Sequence, residues 1–300
     1  MDMLTLSHVS KNFGSRQVLQ DLSFSVPEHS VFGFIGENGA GKTTTMKLIL
    51  GLLPADKGTI LVGGSEVRYG SSQTNCHIGY LPDVPEFYSF MTPTEYLNFC
   101  GEISGMPAKE RRSRAGELLE LVGLSAEKRR IQGFSRGMKQ RLGIAQALMN
   151  RPRLLICDEP TSALDPVGRK EILDILTAAR EQTTVLFSTH ILSDVERICD
   201  HIALLHHGSV AMQGTLEEIK AMHTADCLEI ELEHTEDTGL LLSLFPQCQQ
   251  TGPVQLTLHL SDSSQTAAIL GALTTHQIAF RKIQRMEPTL ESLFMEVTGK

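Results

Sequence analysis

Val31-Phe32-Gly33-Phe34-Ile35-Gly36-Glu37-Asn38-Gly39-Ala40-Gly41-Lys42-Thr43-Thr44 is the stretch from which the fold of this chain is read. Val31 to Ile35 is a short apolar run, as in a buried strand; glycines end it, and a helix is predicted from about Lys42 to Leu52, stopping at Leu53-Pro54. Gly36, four residues, then Gly41-Lys42-Thr43 is the spacing of a loop that grips a polyphosphate. Such a ligand needs many donors at once and no side chain in the way. Glycines let the backbone curl and turn its N–H groups inward, and the following helix N-terminus adds partial positive charge. In this pattern Lys42 reaches the outer phosphates, and the Thr43 hydroxyl ligates magnesium, an ion that prefers phosphates plus one or two protein oxygens.

Leu4 to Val9 and Leu22 to Val26 alternate apolar and polar residues as half-buried strands do, with Gly14 in a turn between them. On the C-terminal side, Arg153 to Cys157 and Thr184 to Ser188 are buried-strand runs, and Pro166 to Glu181 is an amphipathic helix. Strands alternating with helices predict a parallel sheet covered on both faces. Residues 93–150 interrupt it with mainly helical sequence, including Thr94–Ser104 and Lys109–Val122. After roughly Gly214 the pattern changes. Leu228, Ile230 and Leu232 alternate with glutamates, and Val254, Leu256, Leu258 and Leu260 alternate with Gln255, Thr257 and His259. A last stretch, Pro288 to Gly299, sets Leu290, Leu293, Phe294 and Val297 on one helix face. The expected division is 1–215, with a helical subdomain at about 84–150, and a small acidic α+β domain at 216–300.

Leu154-Leu155-Ile156-Cys157-Asp158-Glu159 is an apolar strand ending in two carboxylates, at the sheet edge where parallel α/β folds bind ligands. Adjacent strand residues point opposite ways, so the two acids take different tasks. Asp158 is the candidate for holding magnesium, and Glu159 for polarising a water that attacks the terminal phosphate. His190 follows Val185-Leu186-Phe187-Ser188-Thr189 and is expected at the same edge, against that phosphate. His206-His207 before Gly208 reads as a turn.

The 300 residues carry 27 basic and 35 acidic side chains, a formal charge of -8, which excludes a general affinity for nucleic-acid backbone. The average conceals one basic block: residues 109–153 hold 12 basic and 4 acidic side chains, a balance of +8. Its runs around Lys109-Glu110-Arg111-Arg112-Ser113-Arg114 and Lys128-Arg129-Arg130 read either as a solvated helical face or as a surface lying against a membrane protein and anionic lipid. Six cysteines lie far apart in sequence, without zinc or redox spacing, as expected of small buried hydrophobes in a reduced compartment. The start, MDMLTLSHVS, lacks the apolar run of a secretory signal, and residues 263–280, though uncharged, are too polar to cross a membrane. A cytoplasmic protein is expected.

These elements, together with Phe134-Ser135-Arg136-Gly137-Met138-Lys139-Gln140-Arg141 before the acidic pair and Ser162-Ala163-Leu164-Asp165 after it, resemble the ATP-binding subunits of ABC transporters over about residues 2–215. The resemblance implies a P-loop NTPase fold of α/β class with an N-terminal antiparallel β subdomain, a helical insertion and a small C-terminal α+β domain. It implies that Gly36, Glu37, Asn38, Gly39, Ala40, Gly41, Lys42, Thr43 and Thr44 bind ATP, with Lys42, Glu159 and His190 catalytic and Thr43 and Asp158 on Mg2+. Phe13 stands where the family's aromatic stacks on adenine; by residue type it reads equally as a core residue under the N-terminal sheet. Two such domains face each other head to tail in the family, so Ser135, Arg136 and Gly137 of the signature loop are expected to serve the ATP of a second ATPase subunit, identical or not, and Asp165 stands at the D-loop position.

Two positions depart from the family pattern. Arg136 replaces the first signature glycine, and Asp83, in Gly79-Tyr80-Leu81-Pro82-Asp83, stands where the Q-loop usually has Gln. As an acid, Asp83 is a third candidate magnesium ligand, but while ionised it cannot donate a hydrogen bond as the usual Gln does in its coupling role. The tail Glu287-Pro288-Thr289-Leu290-Glu291-Ser292-Leu293-Phe294 is similar to the ending of ATPases serving bacterial drug, bacteriocin and sodium efflux systems. That likeness implies an exporter subunit working through a separate integral-membrane permease, peripheral on the inner face of the cell membrane. A soluble ABC-type switch acting on nucleic acid or ribosomes, and a regulatory ABC protein with little turnover, are the alternative readings.

Overall fold

The computed structural model describes residues 1–71, 73–222, 227–259, 263–286 and 289–298; Leu260, Glu287, Pro288 and Gly299 of the runs read above lie outside the described residues. The chain divides into two compact units, Met1–Leu216 and Glu217–Lys300.

In the first unit, β1 (Asp2–Phe13) and β2 (Arg16–Pro27) pair antiparallel across the turn Gly14-Ser15, where Gly14 takes φ +60°. Both strands are longer than the alternation suggests, because register shifts after Leu6 and Val9 break the period of two. Next come β3 (Val31–Gly36) and α1 (Lys42–Ile49), which stops short of Leu52 where Gly51 turns left-handed at φ +66°. β4 (Lys57–Val62) and β5 (Ser65–Glu66) complete a four-stranded antiparallel sheet in the order β2-β1-β4-β5.

A short strand, β6 (Ile78–Leu81), precedes the helical region of α2 (Pro93–Ile103), α3 (Ala108–Leu121) and α4 (Arg136–Ala147). α2 opens on a capping box: the Thr92 hydroxyl accepts from the Glu95 amide, the Glu95 carboxylate accepts from the Thr92 amide, and Pro93 sits where no donor is needed. Then follow β7 (Leu154–Asp158), α5 (Pro166–Ala179), β8 (Thr184–Thr189), α6 (Leu192–Ile198), β9 (His201–His206) and β10 (Ser209–Thr215). The central sheet runs β10-β9-β3-β8-β7-β6, parallel throughout except for the β9–β10 hairpin. Every residue of β3, β7 and β8 is buried, which is why these strands read as continuous apolar runs.

Within the basic block not every cation stands on an outer face. Arg114 is buried; it donates to Leu148 O at 3.0 Å and pairs with Glu117 at 3.4 Å, and burial pulls its guanidinium below its usual range. Arg111 faces Glu102, and Arg129 forks onto Glu127. Lys109 and Arg112 do stand exposed. Reversing Arg111, Arg112 and Arg114 together would therefore disturb helix packing as much as any outer surface.

α7 (Leu216–Met222) leads into the second unit, with β11 (Cys227–Leu232), α8 (Glu236–Leu244), β12 (Gln249–Gln250), β13 (Gln255–His259), α9 (Ser263–Thr275), β14 (Phe280–Met286) and α10 (Leu290–Thr298). Its sheet is antiparallel, in the order β12-β13-β11-β14. Leu228, Ile230, Leu232, Leu256 and Leu258 turn inward onto Leu241, Ile269 and Leu273, while Glu229 and Lys282 pair at 2.8 Å on the outer face. The uncharged residues from 263 form α9, which buries Ile269 and Leu273; no described helix is long and apolar enough to cross a membrane.

Candidate functional site

Four of the parallel strands, β3, β6, β7 and β8, end at one edge of the sheet, and the loops that follow them supply the site. After β3 the chain curls through Gly36–Gly41 into α1. Gly41 takes φ +115°, and a Cβ there would lie 2.6 Å from Leu19 Cδ2, so both conformation and space demand glycine. No side chain caps α1, which leaves its first amides open to an anion.

Lys42 is buried, with its ammonium 2.6 Å from Gly36 O, 3.3 Å from Glu37 O and 3.1 Å from Glu159 Oε1. Two of its protons are thus hydrogen-bonded to carbonyls, and Glu159 Oε1 faces it as an ion pair without a hydrogen bond. Thr43 Oγ1 donates to Asp158 Oδ2 at 2.8 Å, linking the start of α1 to the end of β7. Asp158 and Ser188 are register partners in the parallel β7–β8 pair, and Ser188 Oγ donates to Asp158 Oδ1 at 2.6 Å. Glu159 adopts φ +49°, an unusual conformation for a side-chain-bearing residue, held by its amide donating to Ser188 O and Oγ. This kink carries the carboxylate across to Lys42 on one side and to His190 Nδ1, at 2.9 Å from Oε2, on the other.

A cavity of about 520 Å³ opens over these groups, lined by Glu37, Asn38, Gly39 and Gly41 of the loop but not Gly36 or Ala40, and by Lys42, Thr43, Thr44, Asp158, Glu159, Asp83, Phe13, Arg16 and Val18. Phe13 is 48% exposed at this wall, not part of the core, with the Lys11 ammonium 5.5 Å from its ring centre. Asp83 is on the rim, but its Oδ1 already accepts from Ser162 Oγ at 2.6 Å. His190 contacts Glu159 and is not on the cavity lining. Ser135 and Asp165 are also away from it: each caps a helix, Ser135 accepting from the Met138 amide and Asp165 from the Gly168 amide. Behind the site Asp194 is buried in α6, and desolvation pushes its carboxyl above the usual range, against the opposing pull of Thr161, Arg169, Arg197 and His190.

Ser188, Arg16 and Val18 have no role in the sequence reading. For Ser188 the signal was a hydroxyl within an otherwise apolar buried run, a group that must find a partner. Arg16 and Val18 reach the cavity only through the β1–β2 hairpin, which no local spacing reveals. The donor set as a whole suits a polyphosphate with a hard cation: backbone amides and an ammonium for the anion, and a hydroxyl beside a carboxylate for the metal.

Residues 19–162 match the family model described as ABC transporter, and residues 214–298 match that of the ATP-binding protein DrrA1-3-like C-terminal domain. An uncharacterized ABC transporter ATP-binding protein of Bacillus subtilis, YxlF, is 35% identical over 98% of this chain and 99% of its own length. The linearmycin resistance ATP-binding protein LnrL of the same organism is 34% identical over 99% of each. Among solved structures, an ATP-binding subunit of an ABC transporter superposes with a TM-score of 0.65 at 33% identity, covering 73% of this chain and 92% of that one.

Proposed function

This chain belongs to the ABC transporter ATP-binding proteins, and on that premise we propose that it is the ATP-hydrolysing subunit of an exporter, driving a separate membrane permease by ATP-dependent pairing of two such subunits. Membership of the family carries nucleotide binding and ATP hydrolysis with it. The observation supporting a working site is the convergence of Lys42, Asp158 and Glu159 from different strand ends onto one cavity. The export reading draws on the DrrA-like C-terminal match and the similarity to LnrL, a resistance protein.

The chemistry follows from the exchange that a nucleotide forces on Lys42. Its ammonium is held by two carbonyls and the Glu159 carboxylate, and a terminal phosphate, with more charge than a carboxylate, takes the place of Glu159. Glu159 Oε1 is then free to accept a proton from a water aligned with the phosphorus, while His190 holds Oε2. The open amides of α1 and Lys42 stabilise charge spreading over the phosphate oxygens. Thr43 and Asp158, already adjacent, would hold Mg2+, whose contribution when bound is to neutralise the outer phosphates. Ser135, with its neighbours Arg136 and Gly137, serves the second subunit's ATP in this scheme, at the start of α4. The subunit sits on the inner face of the membrane through its permease.

Tagged protein isolated from membranes should carry a co-purifying integral-membrane protein, and Glu159→Gln with ATP should elute as a dimer where the nucleotide-free protein is a monomer. Elution as a monomer with ATP, and no membrane protein retained, would reject the transport reading while leaving hydrolysis intact.

A further inference from the structure

The two positions that depart from the family pattern meet. Arg136, the first residue of α4, donates from Nη2 to Asp83 Oδ1 at 3.4 Å and to Ser162 Oγ at 3.2 Å, and Ser162 Oγ donates to the same Asp83 oxygen at 2.6 Å. One turn along α4, the fully buried Gln140 donates from Nε2 to Asp83 O at 2.7 Å. Gly143 then lets the chain around residue 83 approach the helix: a Cβ there would lie 2.5 Å from Leu81 Cδ1 and 3.3 Å from Pro85 Cβ. Side chain, main chain and packing thus tie the segment after β6 to α4, and Ser162 ties both to the segment that follows Glu159.

Each charge alone is misplaced. A carboxylate on the rim of a polyphosphate cavity repels its ligand, and a cation at the first position of a helix opposes the positive end of the helix dipole. Together they cancel.

Resting on the nucleotide reading of the cavity, we propose that Asp83, Arg136 and Ser162 act as one mutually neutralising unit. The pair is about half exposed, at 46% and 48%, so its effect is moderate and salt-dependent.

The test is equilibrium binding of a fluorescent ATP analogue with magnesium to the full-length chain. Arg136→Ala, which leaves Asp83 uncompensated, should weaken binding roughly fivefold at low salt and less at high salt. Adding Asp83→Asn to it should restore affinity to within about twofold, and Arg136→Lys, keeping the charge, should lose less than Arg136→Ala. Arg136→Gln repeats the comparison should the alanine variant fold poorly by thermal unfolding. A double variant as weak as Arg136→Ala, or normal binding by Arg136→Ala beside a large loss in Lys42→Ala, would overturn the pair alone. Normal binding by Lys42→Ala as well would overturn the nucleotide reading, and the proposal with it.

Discussion

Met1–Leu216 takes Lys42, Arg114, Asp158 and Asp194 out of solvent, whereas among the described residues of Glu217–Lys300 the only buried polar side chain is that of Thr238. The second unit has the ordinary economy of a small α+β domain: leucines and isoleucines inside, and its charges paired on the wet face of the sheet, as in Lys282–Glu229. Burying a charge costs several kcal/mol unless it is paired and hydrogen-bonded, so the first unit carries a cost that the second avoids. The contrast also exists inside the first unit. Arg114 and Lys11 are buried too, but they hold carbonyls of distant segments, Leu148 and Pro54, and are not on the lining of the site's cavity. Buried charge marks a site where several such groups converge on open space, and a structural tie where one of them meets a backbone oxygen.

Lys42→Ala should separate the two kinds most sharply: nucleotide affinity should fall roughly 100-fold in a direct binding measurement, because the mutation removes a buried charged donor and leaves Glu159 Oε1 without its cation, with only His190 on Oε2. Ile230→Ala, in the core of the second unit, should lower stability by about 3 kcal/mol in denaturant unfolding and leave nucleotide affinity within about twofold. A large loss of affinity there would break the comparison. Ser188→Ala strips Asp158 Oδ1 of its donor and should reduce kcat about tenfold, with a smaller effect on KM.

Asp194→Asn should give the smallest change, a small gain in unfolding stability at neutral pH. Its carboxyl titrates above the unfolded value, so the buried carboxylate destabilises the native state once pH rises through that higher range. The advantage of Asn should therefore be present at pH 7 and vanish below about pH 4, where folded and unfolded forms are both protonated. An advantage independent of pH would point to packing and not to charge.

The phosphate loop, the acidic pair and the three central strands were legible because each is local: a spacing or an unbroken apolar run. β6 was not recognised as a strand, since it is four residues long and Gly79 interrupts its apolar pattern; a Cβ there would run into the backbone of Ala147. β10 has no alternation to read, being an edge strand of mixed burial, whereas Ile202-Ala203-Leu204-Leu205 of β9 is a buried apolar run as local as β3. In the basic block, residue types gave no sign that Arg114 turns inward. The meeting of Asp83 with Arg136, 53 positions apart, depends on how α4 packs beside β6, which no single-residue pattern encodes.

In the proposed scheme Glu159 activates the attacking water while Lys42 and the loop hold the nucleotide. It is tested most directly by measuring phosphate release and ATP binding side by side for the unaltered chain and Glu159→Gln. Binding should stay within about threefold while release falls by a factor on the order of 1000, the loss expected for a general base. Turnover near that of the unaltered chain, with ATP bound equally well, would contradict it.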